Sequence, residues 1–111
     1  MNINDQRRIE DILNLAQEVA QFRSINFEVF ADDLIVVRAT ERAIELIGES
    51  ATKISKVTRE SIPQVAWQDL ADMRILLAHN YQRVNIQVLW KVATEDVPGL
   101  ARVLQAHLDH L

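Results

Sequence analysis

The sequence predicts an all-α fold, a compact up-and-down bundle of about five helices that forms one domain over residues 1–111. Apolar residues recur every three or four positions over long stretches, which is the period of a helix. Only two glycines and two prolines occur, which leaves little material for the turns of a many-stranded sheet. Hydrophobic residues make up 49% of the chain, enough for the core of one ordinary domain.

Composition also excludes several classes of protein. The chain has no cysteine, so disulfides and thiolate metal sites are excluded. No apolar run approaches the roughly 20 residues that span a bilayer, and the polar stretch Met1–Asp11 does not resemble a signal peptide. We therefore expect a cytoplasmic protein without membrane contact. The net charge of −4 is unlike that of a generic nucleic-acid binder, so RNA would have to meet a local patch.

The first helix is predicted from about Asn4 to Arg23, and Asn4 or Asp5 is expected to cap it. The stretch from Ser24 to Phe30 is expected to be a connector that Phe27 and Phe30 anchor on the core. The apolar residues of the first helix are Ile9, Ile12, Leu13, Ala16, Val19 and Ala20.

The second helix is predicted to start after Asp32 and Asp33 and to extend to about Ser55. Leu34–Val37 resembles a strand when viewed alone, but the length and the continuing helical period favour a helix. Gly48 lies inside it at a cost of up to about 1 kcal/mol against alanine, which indicates close approach of another helix. The apolar stripe consists of Val37, Ile44, Ile47, Ala51 and Ile54.

Glutamates lie four apart on one face of this helix, a spacing at which like charges are mildly destabilising. Nearby basic side chains can offset them. The glutamates are Glu41, Glu45 and Glu49, and the basic residues are Arg38, Arg42 and Lys53.

The stretch from Lys56 to Ala66 is expected to be a loop, because Pro63 ends any helix before it. A third helix is predicted from about Trp67, and the polar residues from Gln82 to Asn85 are expected to interrupt it. On or beside its inner face we expect Trp67, Leu70, Met73 and Leu77, with Arg74 as a further candidate.

The stretch from Ile86 to Thr94 fits both an alternating strand and a helix. A helix is preferred, because a lone strand has nothing to pair with in this chain. Pro98 is expected to open the final helix, as proline does in a first turn. His107 and His110 near its end could form a weak metal site, but they also suit the negative pole of a helix dipole, and the second interpretation is preferred.

The apolar run from Arg74 to Tyr81 holds a cation and a titratable ring, Arg74 and His79. Burial of an unpaired charge costs several kcal/mol. On an unbroken helix a separation of five positions places them about 140° apart, whereas Tyr81 returns to nearly the face of Arg74. A site that uses Arg74 and His79 together therefore needs a bend in the helix or a second subunit.

Two interpretations of these residues remain open at this point. In the first, Arg74 pairs with a carboxylate such as Glu49 or Asp72, and His79 is a satisfied histidine at a helix end. In the second, they form a site that cleaves phosphodiesters. Histidine can move a proton near neutral pH, and arginine fits phosphate oxygens with two hydrogen bonds.

The pattern Arg74-x4-His79-x-Tyr81 resembles the signature of the HEPN superfamily and, more narrowly, of the HepT-like toxins of two-gene toxin–antitoxin systems. The resemblance extends over most of the chain. Its supporting segments are Ala43–Ser50, Ile62-Pro63 with the approach to Arg74, Val88–Trp90 and Val97–Leu100.

The resemblance implies a HEPN-like bundle and a metal-independent endoribonuclease without a cofactor. Arg74 and His79 would be catalytic, and Asn80 and Tyr81 would support RNA binding. It further implies a homodimer whose cleft takes motif residues from both chains. A minimal nucleotidyltransferase antitoxin would neutralise the toxin and could attach AMP to Tyr81.

The chain departs from the family pattern at one position. Many members have a polar residue directly after the motif arginine, and this chain has Ile75. The alternative function is therefore a helical binding module that has lost catalysis and only pairs with a nucleotidyltransferase.

Overall fold

The computed structural model describes residues 1–22, 26–79 and 85–111, apart from the side chains of Leu76, Ala78 and His79. Within those ranges every regular element is helical, which confirms the predicted fold class. The elements are α1 (Ile3–Phe22), α2 (Phe27–Asp32), α3 (Leu34–Thr52), α4 (Lys56–Ser61), α5 (Trp67–His79), α6 (Ile86–Lys91), a π-helical segment (Val92–Asp96) and α7 (Val97–Asp109).

Helix α3 is central to the bundle, because it packs against α1 and against α5. Helix α7 lies on α1, and the short α2 and α6 contact each other and α3. The buried side chains of the predicted α3 stripe all belong to one core, which also includes Ile9, Ile12, Val19, Phe30, Leu77, Leu89 and Leu104.

The start of α1 differs from the prediction. Asn2 caps the helix, with its side-chain oxygen 2.7 Å from the backbone N–H of Asp5. The two predicted caps, Asn4 and Asp5, lie inside the helix. Asp5 is buried instead, and its carboxylate accepts hydrogen bonds from Ser55 and Thr58. A sequence alone could not show this, because the partners are fifty residues away.

Two stretches that were predicted as connectors contain short helices. Helix α2 begins inside the predicted connector from Ser24 to Phe30 and extends two residues beyond it, and Asn26 caps it by accepting from the N–H of Val29 at 2.9 Å. The rings of Phe27 and Phe30 contact Trp90, as expected of anchors. Helix α4 occupies the first half of the stretch predicted as a loop, where Ser55 is the cap.

The helical assignment of α3 is confirmed from its first residue. Asp33 caps it by accepting from the N–H of Val36 at 3.2 Å. The apparent strand Leu34–Val37 is its first turn. The helix ends at Thr52, three residues before the predicted end, and Lys53 is its C-cap.

The C-terminal part is more continuous than predicted. Helix α6 begins after Asn85, which lies at the end of the predicted interruption, and it passes through the π-helical segment into α7. Pro98 lies in the first turn of α7, as expected, yet no break precedes it. A proline inside a helix cannot donate to the carbonyl four residues earlier and its ring crowds that carbonyl. The wider π turn before Pro98 accommodates the proline ring and the missing donor. Within that turn the N–H of Val97 donates to the carbonyl of Val92.

Candidate active site

Helix α5 carries the motif arginine, and its first residue fixes it to the bundle. The indole Nε1–H of Trp67 donates to the carbonyls of Arg59 and Ile62, at 3.0 and 3.1 Å. These carbonyls lie at the C-terminal end of α4, where each also accepts one backbone N–H, from Ile62 and Val65 respectively. Leu77 near the other end of α5 is buried in the core. The motif arginine therefore lies between two fixed points.

Gly48 of α3 lies directly against Arg74. A Cβ atom built at Gly48 would stand 2.6 Å from the carbonyl oxygen of Leu70 and 2.8 Å from the Cβ of Arg74. Cβ atoms essentially never approach other atoms below 3.0 Å. The predicted close approach of another helix at Gly48 is thus confirmed, and the helix that approaches is the one with the motif.

Arg74 makes no ion pair with Glu49 or Asp72, the two carboxylates that the sequence suggested as its partners. Glu49 lies 3.7 Å from the ammonium of Lys53, and Asp72 accepts from Gln68 at 2.9 Å. Within the described residues, Arg74 has no hydrogen-bond partner for its buried Nε. Buried polar groups are normally satisfied, so a buried N–H without a partner is a candidate for binding something outside the chain.

The three other motif residues are described only in part. His79 is the last residue of α5, and only its backbone is described. Asn80 and Tyr81 lie outside the described residues. Because α5 is an unbroken helix from Trp67 to its end, positions 74 and 79 differ by about 140° around its axis. Arg74 and His79 therefore do not share one face of α5, as the sequence predicted.

The acidic face of α3 is neutralised as the sequence suggested. Glu41 is paired with Arg38, Glu45 with Arg42, and Glu49 with Lys53. Glu41 is only 7% exposed, and both its oxygens lie 3.1 Å from one nitrogen of Arg38. The burial of Glu41 was not predicted from the sequence, in which it was one of three glutamates on one face of the helix.

Ile75, the departure from the family pattern, is 49% exposed beside the motif arginine. It therefore does not fill the core. An apolar side chain at this surface adds no hydrogen-bond donor to the neighbourhood of Arg74.

No group of three or more metal-binding side chains occurs in the described parts of the chain. At the C-terminus, Nδ1 of His110 lies 2.6 Å from the carbonyl oxygen of Ala106, one of the last carbonyls of α7. This is the helix-end contact that was preferred over a metal site. None of the described helices is both long enough and apolar enough to cross a membrane.

The helical bundle is the fold expected of a HEPN-type protein, and the sequence pattern Arg74-x4-His79-x-Tyr81 begins on α5. A family model described as "Ribonuclease HepT-like" matches residues 9–107. The chain belongs to this family of HepT-like ribonucleases.

Curated relatives carry corresponding names. A protein of Thermococcus cleftensis named "Probable ribonuclease HepT" is 38% identical over 93 residues, which cover 83% of this chain and 84% of the relative. A protein of Methanocaldococcus jannaschii named a "Putative RNase" is 33% identical over 96 residues, 86% of this chain and 88% of the relative. No solved structure matches the chain significantly.

Proposed function

We propose that this protein is the toxin of a two-gene toxin–antitoxin pair and cleaves RNA without a metal ion. The observation that carries the proposal is Arg74, whose buried Nε has no partner among the described residues of a HepT-like ribonuclease. A permanently charged, planar guanidinium is the side chain best suited to bind phosphate oxygens.

In the proposed reaction the 2′-hydroxyl oxygen of RNA attacks the adjacent phosphorus, and the bond from phosphorus to the 5′ oxygen breaks. His79 removes the proton of the 2′-hydroxyl or supplies one to the leaving 5′ oxygen. Arg74 stabilises the charge that builds up on the phosphoryl oxygens. Asn80 and Tyr81 bind the RNA beside them. The products are a 2′,3′-cyclic phosphate and a 5′-hydroxyl end.

The proposed cleft lies between two copies of the chain. The angle between positions 74 and 79 on α5 supports this, because a two-fold axis lets each chain supply the group that the other cannot present. A nucleotidyltransferase antitoxin would silence the site by attaching AMP to Tyr81, since added phosphate charge and bulk would exclude RNA.

The test is expression of the wild-type chain and of His79→Ala, followed by growth curves and by RNA cleavage in excess EDTA. We expect the wild type to slow growth and to leave cyclic-phosphate ends, and His79→Ala to do neither. A wild type that neither slows growth nor cuts RNA would favour the inactive binding module. Equal cleavage by both variants would show that His79 is not catalytic.

Modification is tested separately by co-expression with a minimal nucleotidyltransferase of the proposed antitoxin class. Mass spectrometry should locate one AMP on the peptide with Tyr81, and Tyr81→Phe should remain unmodified. An unmodified wild type that is nevertheless inhibited would show that the antitoxin acts by binding alone.

A further inference from the structure

The two glycines of the chain both lie inside helices, but their surroundings differ. A Cβ at Gly48 would come within 2.8 Å of both α5 backbone and Arg74, whereas a Cβ at Gly99 would meet only the Nη2 of Arg102 at 3.8 Å. The second distance is an ordinary contact with the mobile end of a side chain. Only Gly48 therefore permits an approach that alanine would prevent.

The contact at Gly48 constrains the backbone from which Arg74 projects. Its nearest neighbour is the carbonyl oxygen of Leu70, which cannot rotate away from an added methyl group. The next neighbour is the first side-chain carbon of Arg74. A side chain at position 48 would therefore displace α5 at the turn that carries Arg74, and the guanidinium would move with it.

Among the described residues, neither carboxylate near Arg74 competes for its guanidinium. Its Nε is buried and unbonded among the described residues, and both nearby carboxylates of α3 and α5 have other partners. Arginine holds phosphate best through two parallel N–H bonds in one plane, which demands accurate placement. A shift of about 1 Å at such a site can cost two orders of magnitude in rate.

We propose that Gly48 is a positioning residue for RNA cleavage. By letting α3 and α5 touch at Arg74, it fixes the turn of α5 from which the Arg74 guanidinium donates to a phosphate oxygen of RNA. This inference rests on the proposed ribonuclease function. Gly48 itself does not touch the RNA.

The experiment is a double-mutant cycle with Gly48→Ala, Arg74→Ala and the combined variant. Two quantities are measured for each: kcat/KM for RNA cleavage, and affinity for an uncleavable RNA analogue without 2′-hydroxyls. Arg74→Ala should lower kcat/KM on the order of 100-fold. Gly48→Ala should lower kcat/KM between about tenfold and 100-fold and should also weaken the binding of the analogue. Added to Arg74→Ala, it should change either quantity by less than about twofold, because the group that it acts through is gone.

Gly99→Ala is the matched control, since it replaces the other helical glycine with the same residue. We expect its kcat/KM to equal that of the wild type. Circular dichroism at the assay temperature establishes that each variant is folded. If Gly48→Ala lowers kcat/KM by the same factor in the wild type and in Arg74→Ala, the role of Gly48 is purely structural and the proposal is overturned.

Gly48→Ala is also made in the Gly99→Ala background, where the second alanine favours helix α7. This second background covers the case in which Gly48→Ala alone does not fold. If the combined variant is also unfolded at about 10 °C, then Gly48 is needed for folding and not for the placement of Arg74, and the proposal is wrong. If Arg74→Ala cleaves RNA as well as the wild type, the proposed function fails. If Arg74→Ala is impaired while Gly48→Ala is not, only the positioning role fails.

Discussion

Asp5 illustrates how a single buried carboxylate joins two helices. It accepts from the Ser55 hydroxyl at 2.5 Å, the Ser55 N–H at 3.0 Å and the Thr58 hydroxyl at 2.6 Å, and it is 3% exposed. Ser55 is in turn the cap of α4. The carboxylate thus ties the first turn of α1 to the first turn of α4, and the side chain of Asn2 adds a further hydrogen bond at 3.2 Å.

We predict that Asp5→Asn lowers the free energy of unfolding by about 1–3 kcal/mol, the range for losing hydrogen bonds to a charged group. Urea denaturation at neutral pH measures this change. Asp11→Asn on the same helix is the control, because its partner Arg8 is 4.0 Å away and both side chains are exposed. Equal effects of the two substitutions would contradict the structural role of Asp5.

The same site predicts a dependence on pH. The hydrogen bond from the Ser55 side chain, followed by that from Thr58, lowers the pKa of Asp5 below 3.8, although burial opposes this. Because the folded pKa is below the unfolded one, this contribution is present above the unfolded pKa and is lost as pH falls through the folded pKa. The difference in urea midpoint between wild type and Asp5→Asn should therefore be largest near neutral pH and should shrink as the pH falls below 3.8. A difference that grows on acidification would contradict this sign.

At the level of elements, the junction between α2 and α3 depends on one residue of an aspartate pair. Asp33 closes α2 through its N–H, which donates to the carbonyl of Phe30, and opens α3 by accepting from Val36. Asp32 is the last residue of α2 and has no cap role. The chain therefore turns between two helices without glycine or proline.

We predict that Asp33→Ala destabilises the protein by about 1 kcal/mol, as is typical for loss of an N-cap. Asp32→Ala should change stability by less than about 0.5 kcal/mol, like most surface substitutions. Thermal or urea unfolding of the two variants measures the difference. A larger effect at Asp32 would mean that the capping assignment is wrong.

On the scale of the whole molecule, α3 is the element on which the bundle depends, because both α1 and α5 pack against it. Its exposed and buried residues are clearly separated. Ile47 is 1% exposed in the core, and Ile35 is 81% exposed three turns earlier. The same residue type thus occupies the two extremes of burial on one helix.

We predict that Ile47→Ala lowers the free energy of unfolding by about 2–5 kcal/mol through lost burial and a residual cavity. Ile35→Ala should change it by less than about 0.5 kcal/mol. Urea titrations followed by circular dichroism provide both values. A comparable loss at Ile35 would indicate that this residue is covered in solution, for example by a second copy of the chain.

A shared cleft makes a prediction about mixed dimers. If each site takes Arg74 from one chain and His79 from the other, co-expression of Arg74→Ala with His79→Ala restores one intact site in each mixed dimer. Random pairing should then recover about a quarter of wild-type cleavage, since half of the dimers are mixed and each has one active site of two.

The separately expressed variants are the controls for the mixed-dimer experiment, and each should cleave RNA far more slowly than the mixture. Sizing by light scattering establishes that the wild type is a dimer. A dimeric wild type with an inactive mixture would show that both residues act from the same chain.

The sequence by itself determined the helical class, the long helices, the stripe of α3 and the family motif. These depend on local properties, namely the period of apolar residues, capping side chains and the identity of a few motif residues. Its errors fell on short helices and on the start of α1. A helix of six residues has too little periodicity to be recognised, and the role of Asp5 depends on partners fifty positions away.

Only the tertiary structure decided what surrounds Arg74. The sequence indicated that something approaches Gly48 and offered Glu49 or Asp72 as partners for the arginine. Which helix approaches, and which carboxylates are already paired, depends on how α3 and α5 meet in space. Periodicity places a residue on a face of its own helix, but the contact between Gly48 and the turn that carries Arg74 is a property of two helices together.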